Sequence, residues 1–351
     1  MTLEQALKAV RGPDKQAENE ARTRWDSLAK PLGSLGLLED AIVKIAGLTG
    51  AANIFLRERS LLIFCADNGV VAEGVSQSGP EVTLAVAKAL GQGTSTVDYM
   101  AGAASCRVIP ADVGVLLDGP MPGVLGRKIR RGTGDIALGP AMSREECVRA
   151  IETGIDLVRE RKEAGDDILL LGEMGIGNTT TSCAVLSVLT GKPVEELAGK
   201  GSGLSDEGLA RKIKVIKKAI EINHPDPEDP VDVLMKVGGL DLAALTGAVI
   251  GGILYRLPIL LDGLITDTAA LCAVKMCPEA KSALLAGHMS AEPGAAVALS
   301  ALGLAPFISC GMRLGEGSGA AAALPLLDMA LAVYMSGHTF GRLGIEAYTP
   351  Q

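Results

Sequence analysis

The chain changes texture after its first 50 residues. The opening is charged, with apolar positions at helical spacing, and "MTLEQALKAVRGPDKQAENEA" predicts a polar amphipathic helix rather than a secretory leader. Beyond it, short unbroken apolar runs alternate with helix-length stretches. "SLLIFCAD" (60–67), "CRVIPADVGV" (106–115, with Asp112 near its end), "DILLLGE" (167–173) and "RLPILLDG" (256–263) each predict a strand covered on both faces, as in parallel sheets. Between them, residues 143–161 predict a helix with a capping box at Ser143 and Glu146 and an apolar face of Cys147, Ile151, Ile155 and Val158. Residues 205–223 predict another, opened by Ser205 and acids that suit the helix dipole, with Leu209, Ile213, Ile216 and Ile220 on one side. The Pro-rich "HPDPEDPVD" (224–232) predicts a loop, and no repeat of helical-array length is present.

Strand and helix in alternation predict an open α/β sheet built from right-handed crossovers. Ligands of such sheets gather beyond the carboxyl ends of the strands. Asp67, Glu173 and Asp262 end strands and fall on that edge, where each can equally be a loop acid or a helix cap. A length of 351 residues suits one large or two modest domains. With only 3% aromatics the core must be Ala, Val, Leu and Ile, and 44 Gly imply many close approaches or left-handed turns. A net charge of −8 excludes a broad basic face for nucleic acid. The longest apolar tract (246–265) is broken by Arg256, Pro258 and Asp262, so no membrane span is expected. Seven Cys, an odd number with no Cys-x-x-Cys pair, predict buried thiols in a reducing cytoplasm. Three scattered His (224, 288, 338) give no metal-ligand spacing, and neither a metal nor a resident cofactor is expected.

Two glycine-rich turns carry candidate chemistry. "GEMGIGNTTTS" (172–182) follows a strand and opens a helix, so its backbone amides and hydroxyls can bind a phosphate. It lacks the lysine of a triphosphate loop, which favours a monophosphate; tight strand–helix packing explains the glycines equally well. "GMRLGEGSGAA" (311–321) sets Glu316 between Gly315 and Gly317, leaving room for close approach of a ligand to the carboxylate. That suits a general base, or else a cap for the alanine-rich helix that follows. Three further stretches are "ADNGVVAEGVSQSGPEVT" (66–83), a long polar loop after a strand, "VGGLDLAALTGAVIGG" (237–252) and "GHMSAEPGAA" (287–296), where His288 alone reads as structural.

In order along the chain, "KPLGSLGLLE" (30–39), "ADNGVVAEGVS", "GTGDIALGPAMSREE" (132–146), "GEMGIGNTTTS", "VGGLDLAALTGAVIGG" and "MRLGEGSGAA" resemble the nicotinate-nucleotide:dimethylbenzimidazole phosphoribosyltransferase family of cobamide biosynthesis. The resemblance spans most of the chain. It implies a Rossmann-like sheet domain (51–326) and a small helical domain from both chain ends (1–50 with 327–351). It also implies transfer of the 5-phosphoribosyl group from nicotinate mononucleotide to an aromatic base such as 5,6-dimethylbenzimidazole, with inversion to the α-riboside 5′-phosphate and release of nicotinate. By matching positions, Glu316 would be the general base. Glu173, Gly175, Gly177, Asn178, Thr179, Thr180, Lys212, Ser290 and Gly315 would bind the nucleotide. Ser78, Val86, Met174 and Leu314 would face the acceptor.

The sequence departs from the family where Asn68 replaces a common histidine, Ala295 ends "EPGA" in place of a histidine, and Val86 replaces a glutamine of some members. These touch acceptor choice rather than the donor. One branch of the family uses phenols as a heterodimer of paralogues, so a phenol acceptor stays open, as does a homodimer or heterodimer. Among other classes, a non-catalytic nucleotide-binding module has no need of an intimate Glu316. A nicotinamide-dependent oxidoreductase lacks its Gly-x-Gly-x-x-Gly turn here.

Overall fold

Seven strands form one sheet in which every paired neighbour runs parallel: β1 (Arg59–Ala66), β2 (Arg107–Gly114), β3 (Leu125–Gly126), β4 (Ile168–Met174), β5 (Ile259–Leu261), β6 (Leu284–His288) and β7 (Pro306–Ile308). The computed structural model describes residues 1–201 and 203–348. Strand order is β3-β2-β1-β4-β5-β6-β7, the doubly wound Rossmann order with one strand added. β4 is buried along its whole length and β1 beyond its first residue, because helices cover both faces. The order reverses between β1 and β4, which opens a crevice beyond their carboxyl ends.

Four strands lie where the apolar runs predict them, although only Ile259–Leu261 of the 256–263 run is paired. β3, β6 and β7 have two to five residues and leave no such run. The amino-terminal stretch is two helices, Leu3–Ala9 and Lys15–Ser27, rather than one. Pro13 lacks the amide that a continuous helix needs, and Asp14 caps the second helix through the amides of Gln16 and Ala17. The expected 66–83 loop contains a 3-10 turn, Gly69–Glu73, and ends at helix Pro80–Gln92. The 224–232 loop is shorter than expected, because Asp229 caps helix Pro230–Val237. Both capped helices read from sequence are present, as Arg144–Glu163 and Asp206–Asn223.

Part of the glycine content is helix packing. Helix Leu240–Leu254 lies backbone to backbone on Arg144–Glu163: a methyl on Gly154 would sit 1.9 Å from the Ala244 carbonyl oxygen, and one on Gly247 1.8 Å from that of Ile151. The chain ends meet on the other face. Trp25 packs on Tyr334 with ring centroids 5.0 Å apart, and Leu28 pairs antiparallel with Thr339. The boundary at 326/327 falls within helix Ser318–Tyr334, and residues 349–351 of the terminal helical unit lie outside the described residues. Among the described residues no helix is long and apolar enough to cross a membrane. Six cysteines are buried and Cys310 is exposed.

Candidate active site

The turn after β4 is shaped by what approaches it. A methyl on Gly175 would lie 2.4 Å from the Ala66 carbonyl oxygen of β1 and 2.7 Å from Asp241 Oδ2, so glycine is needed there for space. Gly177 has φ 95° and begins helix Asn178–Thr190 without a side-chain cap. Ile176 is tied to helix Pro80–Gln92 by its amide, which donates to Thr83 Oγ1 at 3.2 Å.

The second turn packs directly on β4. Gly315, Glu316 and Gly317 are all left-handed, with φ of 83°, 60° and 84°, a conformation unfavourable for glutamate. Gly172 admits this turn, since a methyl there would meet the Glu316 carbonyl carbon at 2.6 Å. Asp262, at the end of β5, caps the helix that follows, Ser318–Tyr334. Its carboxylate accepts from the amides of Gly319 (2.6 Å), Gly317 (3.3 Å) and Ala320 (3.4 Å). Glu316 is therefore not needed as the cap. Its Oε2 is buried with no hydrogen-bond partner, although the side chain borders the crevice. Burial raises its pKa, the charges of Asp98 and Asp262 add to this, and the Val97 amide opposes it.

Beside it stands a second carboxyl. Glu173 is pushed up to about 8, first by burial and then by the charge of Asp241, with Asp262 and Glu316 adding. Asn178 Nδ2 donates to Glu173 Oε2 and, at 3.0 Å, to Asp241 Oδ2. Asp241 is raised to about 6, again by burial first. His288 Nδ1 lies 2.7 Å from the Asp262 carbonyl oxygen. A carbonyl only accepts, so Nδ1 carries a proton.

Glu173, Asn178, Asp262, His288 and Glu316 line one cleft of about 880 Å³, its open mouth included. Of the sequence candidates, Glu173, Met174, Gly175, Gly177, Asn178 and Thr179 line it from the β4 side, and Ser290, Leu314, Gly315 and Glu316 from the other. Four do not reach its wall. Thr180 is wholly buried with its hydroxyl unpartnered. Lys212, also wholly buried, stands behind the wall and donates to Thr179 Oγ1 at 2.8 Å and to the Gly199 carbonyl at 3.1 Å. Ser78 lies outside in the preceding loop, its amide bonded to Ser76 Oγ at 3.2 Å. Val86 is half-buried in the hydrophobic cluster that contains Ile176.

The sequence reading missed the cleft's basic and helix-end features. Lys200 and Arg313 line it, as does Gly263, which begins helix Leu264–Met276 with no side-chain cap. The signal was a glycine directly after a strand-ending acid, "LDG". His288, read as structural, also borders the cleft. Among the described residues no three His, Cys, Asp or Glu are grouped to hold a metal ion.

A family profile described as phosphoribosyltransferase matches residues 10–345. A nicotinate-nucleotide–dimethylbenzimidazole phosphoribosyltransferase from Ruminiclostridium cellulolyticum is 48% identical over 350 residues, covering 100% of this chain and 99% of its own. The chain belongs to this phosphoribosyltransferase family. Its counterpart from Acetivibrio thermocellus is 47% identical over 99% of both chains. The crystal structure of a phosphoribosyltransferase of the same name from Thermus thermophilus superposes with a TM-score of 0.89 at 39% identity, over 95% of this chain and 100% of that one. The chain is thus an enzyme, a phosphoribosyltransferase, and the cleft beyond the carboxyl ends of β4, β5 and β6 is its candidate catalytic site.

Proposed function

We propose that this phosphoribosyltransferase moves the 5-phosphoribosyl group of nicotinate mononucleotide to an aromatic base such as 5,6-dimethylbenzimidazole, forming the α-riboside 5′-phosphate and nicotinate. The observation that carries this reading is the Glu316 carboxyl, buried on the cleft wall with one oxygen unpartnered while Asp262 does the helix capping. The relatives' names supply the substrates.

The chemistry balances without an added acid. The bond from ribose C1′ to the pyridinium nitrogen breaks, and its electron pair neutralises that nitrogen, so nicotinate leaves unprotonated there. A benzimidazole nitrogen attacks C1′ from the opposite face, and Glu316 takes the proton from the other ring nitrogen. Once ionised, Glu173 faces the positive charge that develops on the ribose. For the phosphate, the bare end of helix Leu264–Met276 with Ser290, Lys200 and Thr179 is a better seat than Asn178, whose amide protons are committed to two carboxylates. Lys212 would hold Thr179 in place from behind, and Met174 and Leu314 would flank the acceptor ring.

The test is a product assay on the purified chain with nicotinate mononucleotide and either 5,6-dimethylbenzimidazole or p-cresol, with products identified by mass and NMR. The expected outcome is an α-N-riboside. Glu316→Gln is expected to lower kcat by about 10²–10⁴-fold. An α-O-riboside from p-cresol would instead assign a phenol acceptor, and a requirement for a paralogue would assign a heterodimer. No product with either acceptor, alone or with a paralogue, would sink the reading.

A further inference from the structure

The stretch "VGGLDLAALTGAVIGG" packs helix on helix, yet it also contains Asp241. This residue is wholly buried in the first turn of helix Leu240–Leu254. Its Oδ1 accepts from the Leu242 amide at 3.0 Å, and its Oδ2 accepts from Asn178 Nδ2 at 3.0 Å. The same nitrogen donates to Glu173 Oε2. A side-chain amide nitrogen has two hydrogens, so Asn178 spends both on these two carboxyls. Two glycines from separate segments clear the space. A methyl on Gly175 would lie 2.7 Å from Asp241 Oδ2, and one on Gly239 2.5 Å from Oδ1. Neither glycine has a positive φ, so both serve close approach rather than a turn.

We propose that Asp241 is a positioning residue for phosphoribosyl transfer: through the Asn178 amide it fixes the Glu173 carboxyl on the cleft wall next to Glu316. The inference rests on the reaction proposed above. Because its Nδ2 donates to one carboxyl oxygen on each side, the Asn178 amide has one orientation; an amide at position 241 would allow it to flip. The groups that face Glu173 are Asp241 from its helix, Asp262 from the end of β5 and Glu316 from its turn. Asp67 adds its charge to Asp241, and Lys200, Arg313 and His288 border the cleft from other walls. After burial, the charge of Asp241 is the largest influence raising the Glu173 pKa.

The experiment uses the full chain with nicotinate mononucleotide and 5,6-dimethylbenzimidazole, comparing wild type, Asp241→Ala, Asp241→Asn, Glu173→Gln and the double variant Asp241→Asn/Glu173→Gln at equal folded fraction. Asp241→Ala is expected to lower kcat on the order of 100-fold, with the acceptor KM unchanged. Asp241→Asn is expected to move the pH profile of kcat to lower pH, and to cause no further loss when added to Glu173→Gln. A merely structural role would lower the unfolding midpoint and leave kcat and its pH profile as in wild type. That result, or a multiplicative loss in the double variant, would overturn the proposal. If Asp241→Asn does not fold, Asn178→Ala cuts the same link: kcat should fall with no further loss when Glu173→Gln is added, but the pH profile should move to higher pH, because the Asn178 hydrogen bond lowers the Glu173 pKa while the Asp241 charge remains. A carboxyl-carbon NMR titration of Glu173 in substrate-free protein gives a readout without turnover. Its midpoint should fall in Asp241→Asn, and an unmoved midpoint would refute the link. An inactive wild type would sink the reaction, while this titration would still decide the role of Asp241.

Discussion

Glu173 reaches the cleft at the cost of a buried, ionisable carboxyl, and this cost depends on pH. Its pKa rises from the ordinary 4.5 to about 8 on folding, through burial and the neighbouring Asp241 charge. Between those values the folded chain keeps a proton that the unfolded chain has released, so stability falls as pH rises. The contribution is intact below about pH 4.5 and is lost as pH climbs through about 8. Glu173→Gln keeps the shape and cannot ionise. It should therefore be more stable than wild type by several kcal/mol at about pH 9 and by little at about pH 5. Urea midpoints at both pH values check this, and an equal gain at both would mean that Glu173 does not titrate as described. For Glu316 the burial effect has a kinetic sign. The transfer rate should rise as pH climbs through a midpoint above the usual carboxylate range, and Glu316→Gln should lose that limb. At this scale the sequence pointed to Glu316 but not to what leaves its carboxyl free. Glu316 between glycines is readable directly, but the cap that frees it comes from Asp262, 54 positions earlier, and no local pattern links the two.

At the scale of elements, glycine has opposite meanings in different helices. Gly→Ala in a helix interior ordinarily stabilises by roughly 0.5–1 kcal/mol. In helix Leu240–Leu254 the sign should reverse, because a methyl on Gly247 would sit 1.8 Å from the Ile151 carbonyl oxygen of Arg144–Glu163. Backbone cannot swing aside as a side chain does, so Gly247→Ala should cost about 1–3 kcal/mol or more, read as a lowered urea midpoint. An unchanged or raised midpoint would mean that the two helices can separate without loss. Elements were legible in proportion to their length and burial. Residues 61–66 and 168–171 are unbroken apolar runs in central strands, and those strands were read almost to the residue. β3 and β7 have two and three residues and are too short for any periodicity, while β6 hid in front of a His-Met-Ser motif. Tertiary neighbours, not local preference, make those segments strands.

The whole molecule links its two chain ends to the Gly315–Gly317 turn on the cleft wall through a single helix. Ser318–Tyr334 starts immediately after Glu316 and Gly317 and ends at Tyr334, which is wholly buried. There the Tyr334 ring packs on Trp25, the Arg24 guanidinium lies over it at 4.5 Å, and its hydroxyl donates to the Ala52 carbonyl at 2.8 Å. At the opposite end the same helix is held by Asp262. A helix fixed at both ends keeps a left-handed glutamate aimed at the cleft, so loosening the far end should be felt at the near one. Tyr334→Ala removes the ring and should lower stability by about 3–5 kcal/mol, as for other large buried aromatics. It should also lower the transfer rate per folded molecule. Tyr334→Phe keeps the ring, loses only the hydrogen bond, and should cost about 1 kcal/mol with the rate unchanged. Unfolding curves give the folded fraction, and initial rates divided by that fraction give the effect on the site. If Tyr334→Ala loses stability but keeps the wild-type rate per folded molecule, then Asp262 alone holds Glu316, and the chain ends contribute to stability without reaching the chemistry.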